Sequence, residues 1–408
     1  MRRGLVSWSR EELSQAALDA RVGRLQQAMR AQRLDAVLAY GSFAQPAAVQ
    51  WLSNFLPYWG DAMLAVFPEG QPILLTALTR RVHPWIHAVS HTGGVMTAPR
   101  LGANVQALLD ERVPVGRRIG VIALDTLPWL VAKQLIDAGR GESLVDASEL
   151  YATLRQPADQ AEVDLAVRAA SIARDAVRSV PVDAHCTSGV IAAIEAAARL
   201  AGAEEVLQRI APDLAADPTP RRIEGHVSLG ARYAIDLSLA YKGVWVRAAR
   251  CVVRESVPVS ASVSLAMPMP VSSPMPMPMP MPMPMPMPMP MPMPMPMPMP
   301  MPMPMPMPIS WLRAQRWFAA SAAALHAASE GPNLDGAPGE VLDWTLEACI
   351  GLHSLERVAS RQTGCLHALP PGALAMLSVE LRLDDGPWRA SVPLVIGRAG
   401  EPSRLLDV

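Results

Sequence analysis

No stretch of the chain approaches the ~18 consecutive apolar residues of a membrane-spanning helix. The start, Met1-Arg2-Arg3-Gly4-Leu5-Val6-Ser7, turns polar at once and lacks the apolar centre of a secretory signal, so a cytoplasmic protein is the expectation. Charge of one sign is also missing, since 36 basic and 37 acidic residues leave a net charge of −1. That balance excludes the summed field that would draw the chain onto nucleic acid or an anionic membrane surface. Lysine stands only at Lys133 and Lys242, and we read the arginine-for-lysine bias as genomic composition. The four cysteines, Cys186, Cys251, Cys349 and Cys365, are widely spaced, with no C-x-x-C and no dense framework for disulfides or zinc. They are expected to be buried, reduced thiols packed as small apolar residues.

What the chain has in excess is methionine and proline. Of its 41 prolines and 24 methionines, 17 of each stand in one uninterrupted alternation from Met275 to Pro308. Proline at every second position removes every second amide donor, which excludes a helix or an inner strand and leaves polyproline II, about 105 Å long at roughly 3.1 Å per residue. The plain reading is an expanded, disordered insertion at about 262–309, tolerable because loop-closure cost grows only logarithmically. Thioethers at alternate positions would also suit Cu(I) or Ag(I). Without those 34 residues 374 remain, enough for about two domains at roughly 150 residues each.

Ser9-Arg10-Glu11-Glu12 has the form of a capping box, and Leu13, Leu18, Val22, Leu25 and Met29 follow at helical spacing. Arg33 to Gly41 reads as a buried strand, and Met63–Phe67 and Pro72–Thr76 flank the turn sequence Pro68-Glu69-Gly70-Gln71 as a hairpin. Ile119–Leu124 is another strand, and Pro128 opens a helix that stops at Gly139. Residues 1–150 therefore read as an α/β domain. Residues 151–408 read as an α+β domain: helices at about 158–180 and 190–200, strands at 233–253, a helix over Trp311–Ala328 and strands at 374–406. His83, His87 and His91 share i, i+4 spacing as metal ligands would, but Pro84 and the lack of a nearby carboxylate or thiolate weaken that reading.

Within 229–250, Gly230, Asp236, Gly243 and Arg250 fall at the spacings of the pattern G-D-x-x-x-x-D-x-G-x-x-x-x-G-Y-x-x-D-x-T-R. Here the chain resembles the pita-bread metallopeptidase family of aminopeptidase P, prolidase, methionine aminopeptidase and the metal-free relative creatinase. Residues 33–40 and the hairpin at 67–75 resemble the creatinase-type N-terminal domain. Leu154-Arg155-Gln156 with Ala161-Glu162-Val163 is similar to the entry of the catalytic domain. Cys349-Ile350-Gly351-Leu352 is similar to the end of G-H-G-I-G-L, and Leu377-Ser378-Val379-Glu380 to the strand ending in a ligand glutamate. The resemblance implies an α/β creatinase-type N-terminal domain, an α+β pita-bread C-terminal domain and a homodimer.

The resemblance also implies a site. Family peptidases hold two divalent metals with two aspartates, a histidine and two glutamates, because closely spaced cations need several carboxylates to offset their repulsion. Carried over one position at a time, the first aspartate is Asp236 and the first glutamate is Glu380. The second aspartate falls on Arg247, the histidine on Ala348 and the last glutamate on Ser391, in a register soft by a residue or two. Arg247 would repel a metal and pair with Asp236 or Glu380; as a plain strand residue, Asp236 would pair with Arg247 or Arg250. The resemblance thus implies a degenerate member without cofactor that binds a small molecule or short peptide, or serves as a subunit. The alternatives are a metal-independent, creatinase-like hydrolase of a C–N bond with His226 or His353 as base, creatinase's own histidine position falling near Thr219, and an active Xaa-Pro peptidase with misregistered ligands, which would need Mn or Co.

Overall fold

The computed structural model describes residues 7–254, 307–349 and 355–406. The Met-Pro tract as far as Pro306, and His353, lie outside them.

Two sheets organise the described residues, and both belong to one compact unit. The first is built from β1 (Ala36–Gly41), β2 (Ala62–Val66), β3 (Ile73–Thr76), β4 (Gly94–Thr97), β5 (Ile119–Ile122) and β6 (Leu144–Asp146). Their order is β4-β3-β2-β1-β5-β6. The expected hairpin forms as β2–β3, with Ala62 opposite Thr76 and Ala65 opposite Ile73. Every residue of β1 and β2 is buried, because helices cover both faces. Val37, Ala39 and Leu64 pack with residues of α1 (Gln15–Gln32), α2 (Ala47–Ser53) and α6 (Ser148–Arg155), while Leu38, Met63 and Ala65 pack toward α4 (Leu101–Arg112) and α5 (Trp129–Leu135). The short α3 (His83–Val89) joins β3 to β4.

The entry to α1 differs from the expected capping box. The helix begins at Gln15, and Ser14 caps it by accepting the Ala17 N–H. Residues 10–12 form a turn instead. The physical reason is that the Glu12 carboxylate accepts the Tyr241 hydroxyl at 2.8 and 2.9 Å and does not reach back to Ser9.

The second sheet contains β7 (Glu205–Ala211), β8 (Arg232–Tyr241), β9 (Val244–Val253), β10 (Glu340–Ala348), β11 (Glu356–Ser360), β12 (Gly364–Cys365), β13 (Leu374–Leu383) and β14 (Gly386–Val395), with β15 (Arg404–Leu405) beside β14. The order is β12-β11-β10-β13-β14-β9-β8-β7. Alternating burial along β8 gives one face to a core shared with α7 (Gln160–Arg178) and α8 (Thr187–Leu200). The helix α9 (Ile309–Ala323) supplies Trp311, Ala314 and Phe318 to the core over β13 and β14. β7, β10 and β11 were not legible in the sequence. In β10 three acids, Glu340, Asp343 and Glu347, obscure an alternation that burial makes plain.

Two local features fix this sheet. Asp159 caps α7 by accepting the Glu162 N–H, and it also holds the 3 % exposed Arg21 of α1 at 2.7 Å. Lys242 and Gly243, both at positive φ (50° and 80°), close the β8–β9 hairpin in the two-residue turn whose twist suits paired strands. The Glu204 carboxylate accepts both of that turn's backbone N–H groups.

A candidate functional cleft at the seam of the second sheet

β8 and β9 pair over ten positions, as do β13 and β14, whereas β14 and β9 meet through a single pair, Ser391 opposite Ala249. Strands twist, and two twisted halves joined at one point leave a concavity beside the junction. There lies a polar cavity of about 220 Å³. Alternation along the strands turns Asp236, Ser238, Arg247, Ser378, Glu380, Arg389 and Ser391 into it, with Arg209 and Asp343 at its lining.

The carried-over positions meet here in part. Asp236 and Glu380 are brought together by one guanidinium: Arg389 donates from Nη1 to Asp236 Oδ2 at 2.9 Å, and its Nη2 lies 3.0 Å from Glu380 Oε2. Nη2 also donates to the Pro218 carbonyl at 3.2 Å. Arg389 is 10 % exposed, so this is a largely buried cation between two half-buried carboxylates. Burial raises the Asp236 pKa against the opposing pull of Arg389, Arg247 and Arg209. Its other oxygen, Oδ1, is buried without a hydrogen-bond partner.

Arg247 pairs with neither expected acid. Its Nη2 donates to Glu347 Oε1 at 2.9 Å, and Nε lies 2.7 Å from Oε2. The cause is register: Arg247 stands opposite Ser238, two pairs along from Asp236, and leans across the seam to β10. Arg389, directly opposite Glu380, takes the position beside Asp236. Arg250 is not that partner either; it lines a larger, more apolar cavity of about 390 Å³ with Trp311, Phe318 and Trp388. Burial raises the Glu347 pKa, opposed first by Arg247. Ala348 is buried and offers no ligand atom. The Ser391 hydroxyl is spent on Ser378 at 2.7 Å.

The donor set does not fit a pair of divalent cations. Asp236 and Glu380 already neutralise an internal guanidinium, a second guanidinium stands at another position that the resemblance assigns to a ligand, and a methyl group stands at the one it assigns to the histidine. At an effective dielectric of about 20, each like-charge encounter near 4 Å costs roughly 4 kcal/mol per unit charge, and a dication doubles it.

The remaining candidates lie elsewhere. His226 does not line the cleft; its Nδ1 faces Ser188 Oγ at 3.0 Å, at the start of α8. His83 contacts Thr97 and His91 contacts Asp19, so His83, His87 and His91 do not converge. The cysteines are all free, but only Cys186 and Cys251 are buried; Cys349 is half-buried and Cys365 exposed, because the short edge strand β12 carries no cover. Sequence reasoning missed Arg389 and Glu347. Period-two alternation, which puts residue 389 on the same strand face as Ser391, was the signal for the first.

Residues 21–156 match the creatinase/prolidase N-terminal domain. Solved structures share the fold over almost the whole chain. The prolidase from Pyrococcus horikoshii is 15 % identical with a TM-score of 0.58, covering 95 % of this chain and 98 % of that one. The X-Pro aminopeptidase from Thermotoga maritima is 13 % identical with a TM-score of 0.62, covering 95 % and 97 %. A histidine-to-alanine variant of Escherichia coli aminopeptidase P is 10 % identical with a TM-score of 0.60, covering 98 % and 95 %. No curated protein sequence matches significantly. The chain thus carries a creatinase/prolidase-type N-terminal domain. Over its length it has the fold of the prolidases and aminopeptidase P, as the resemblance implied. Among the described residues no helix is long and apolar enough to cross a membrane.

Proposed function

We propose that this chain is a degenerate aminopeptidase P/creatinase-type protein: it keeps the fold, has given up two-metal peptidase chemistry, and uses the cleft to bind a small molecule or short peptide. The observation that carries the reading is Arg389, whose guanidinium spans Asp236 and Glu380 where a cation pair would need both acids free. Arg209 stands opposite Asp236 and lines the same cavity, so its guanidinium is the group that an anionic end of the ligand meets. His226, facing Ser188 outside the cleft, gives the metal-independent hydrolase reading no base there, and His353, its other candidate, lies outside the described residues.

The test is metal content together with peptidase assay. Purified chain incubated with Mn(II) or Co(II) should bind no metal pair in the cleft and should not cleave Xaa-Pro dipeptides. Two metals per chain that disappear in Asp236→Ala and Glu380→Ala, accompanied by Xaa-Pro cleavage, would overturn the proposal.

A further inference from the structure

Away from the cleft, the fold assembles a different set of ligand groups. His185, Cys186 and His226 place one donor atom each within 4.8 Å of one another, and they are the only such trio of His, Cys, Asp or Glu among the described residues. The sequence separates His226 from the other two by about 40 positions. Backbone pairing closes that gap: Leu229 N donates to the His185 carbonyl at 2.9 Å, Thr187 N to the Val227 carbonyl at 2.8 Å, and Cys186 lies opposite Ser228. The Thr187 hydroxyl adds a further tie by accepting the Val227 N–H at 3.1 Å. Two short segments are therefore locked side by side with their nitrogen and sulfur donors on a common point.

The side chains are arranged for the same end. The Ser188 hydroxyl lies 3.0 Å from His226 Nδ1 and 3.4 Å from Cys186 Sγ, linking imidazole to thiol. The two imidazole rings stand 6.2 Å apart, inclined at 64°. Cys186 is the N-terminal cap residue of α8.

We infer that His185, Cys186 and His226 form a binding site for one borderline-soft divalent cation, of which Zn(II) is the natural occupant. Two imidazoles and a thiolate are the donor types that zinc takes in tetrahedral sites, with bonds of about 2.0–2.3 Å, and three protein ligands leave one position for water. The absence of a carboxylate from the trio disfavours Mg(II) and Ca(II). Binding exchanges the thiol proton for the metal, so one proton is released and affinity falls as pH is lowered. A nucleophilic cysteine–histidine pair fits less well, because neither cavity described above is lined by these residues to receive a substrate. Both histidines are exposed, so the ion has an open approach. Once bound, it ties the start of α8 to the segment leading into β8.

The experiment is titration of the full chain with Co(II), followed by competition with Zn(II). One equivalent should bind and produce the near-ultraviolet thiolate-to-cobalt charge-transfer absorption, which Zn(II) then removes. Cys186→Ser should abolish the band, and His226→Ala should weaken binding at least tenfold. Cys365→Ser should leave the titration unchanged, as should Asp236→Ala with Glu380→Ala. Circular dichroism of each variant checks that it folds. Absence of saturable one-to-one binding, or a band unaffected by Cys186→Ser, overturns the inference. A metal lost only with Asp236 and Glu380 overturns both this site and the reading of the cleft, whereas failure at Cys186 alone leaves the cleft reading standing.

Discussion

Replacing Arg389 by alanine is the perturbation that most directly tests how the cleft is held. The guanidinium lies 2.9 Å from Asp236 and 3.0 Å from Glu380, with its own side chain only 10 % exposed and the acids 32 % and 28 % exposed. Two unit-charge contacts near 4 Å between charge centres give roughly 8 kcal/mol of gross attraction at an effective dielectric of about 20. Desolvation of the three groups offsets most of this, and removing one member of a buried pair costs about 3–5 kcal/mol. Because both acids are nearly a third exposed and regain some hydration, the expected loss is at the low end, about 2–3 kcal/mol, or several degrees in the thermal midpoint. The sign of the pH dependence is fixed as well. Burial already raises the Asp236 pKa, and Arg389 is the strongest influence opposing it. Without Arg389 the folded-state pKa rises further above the unfolded one, so the folded variant binds the extra proton and its stability falls as pH rises through that window. The deficit should therefore be larger at pH 8 than at pH 5. Mn(II), which prefers oxygen ligands, should stabilise the variant and not the parent, since two carboxylates are then free. Thermal unfolding at several pH values, with and without Mn(II), measures all of this. A variant as stable as the parent at every pH would refute the assignment of Arg389 as the cation occupying the cleft.

Two more predictions come from neighbouring charges. Arg247→Ala should cost about 2–3 kcal/mol by leaving Glu347 buried without its partner, while adding Glu347→Gln should recover much of the loss; a double-mutant cycle in urea with no coupling would contradict the pair seen at 2.7 Å. The Glu204 carboxyl, pushed by burial from an ordinary value near 4.5 up to about 7, makes the folded state bind a proton that the unfolded chain releases. The stability that this group contributes should accordingly be full below about pH 4.5 and be lost as pH rises through about 7, and Glu204→Gln should flatten that part of the unfolding profile, which a pH series of thermal midpoints reads directly.

The first sheet was readable because its signals are local. The β2–β3 hairpin follows from apolar runs on either side of Pro68-Glu69-Gly70-Gln71, and β1 from an unbroken apolar run that helices cover on both faces. In the second sheet β8 was visible around its glycines, but β10 was hidden by its acids, whose meaning depends on Arg247 one hundred positions earlier. The cleft was half legible. Asp236, Glu380, Arg247, Ala348 and Ser391 were placed by the family resemblance, but Arg247 was expected to pair with Asp236 or Glu380, and the seam between β9 and β14 gave both acids to Arg389.

The chain alone determined, then, the periodicities, the turn chemistry, the fold resemblance and which residues stand where that resemblance expects ligands. Those rest on neighbours within a few residues or on an ordered set of short patterns. Tertiary structure decided which charges meet: Arg389 with Asp236 and Glu380, Arg247 with Glu347, and His226 with His185 and Cys186. Coulomb and coordination energies depend on distances of a few ångströms in space. Strand register and the pairing of residues 185–187 with 227–229 set those distances, and separation along the chain carries no information about them.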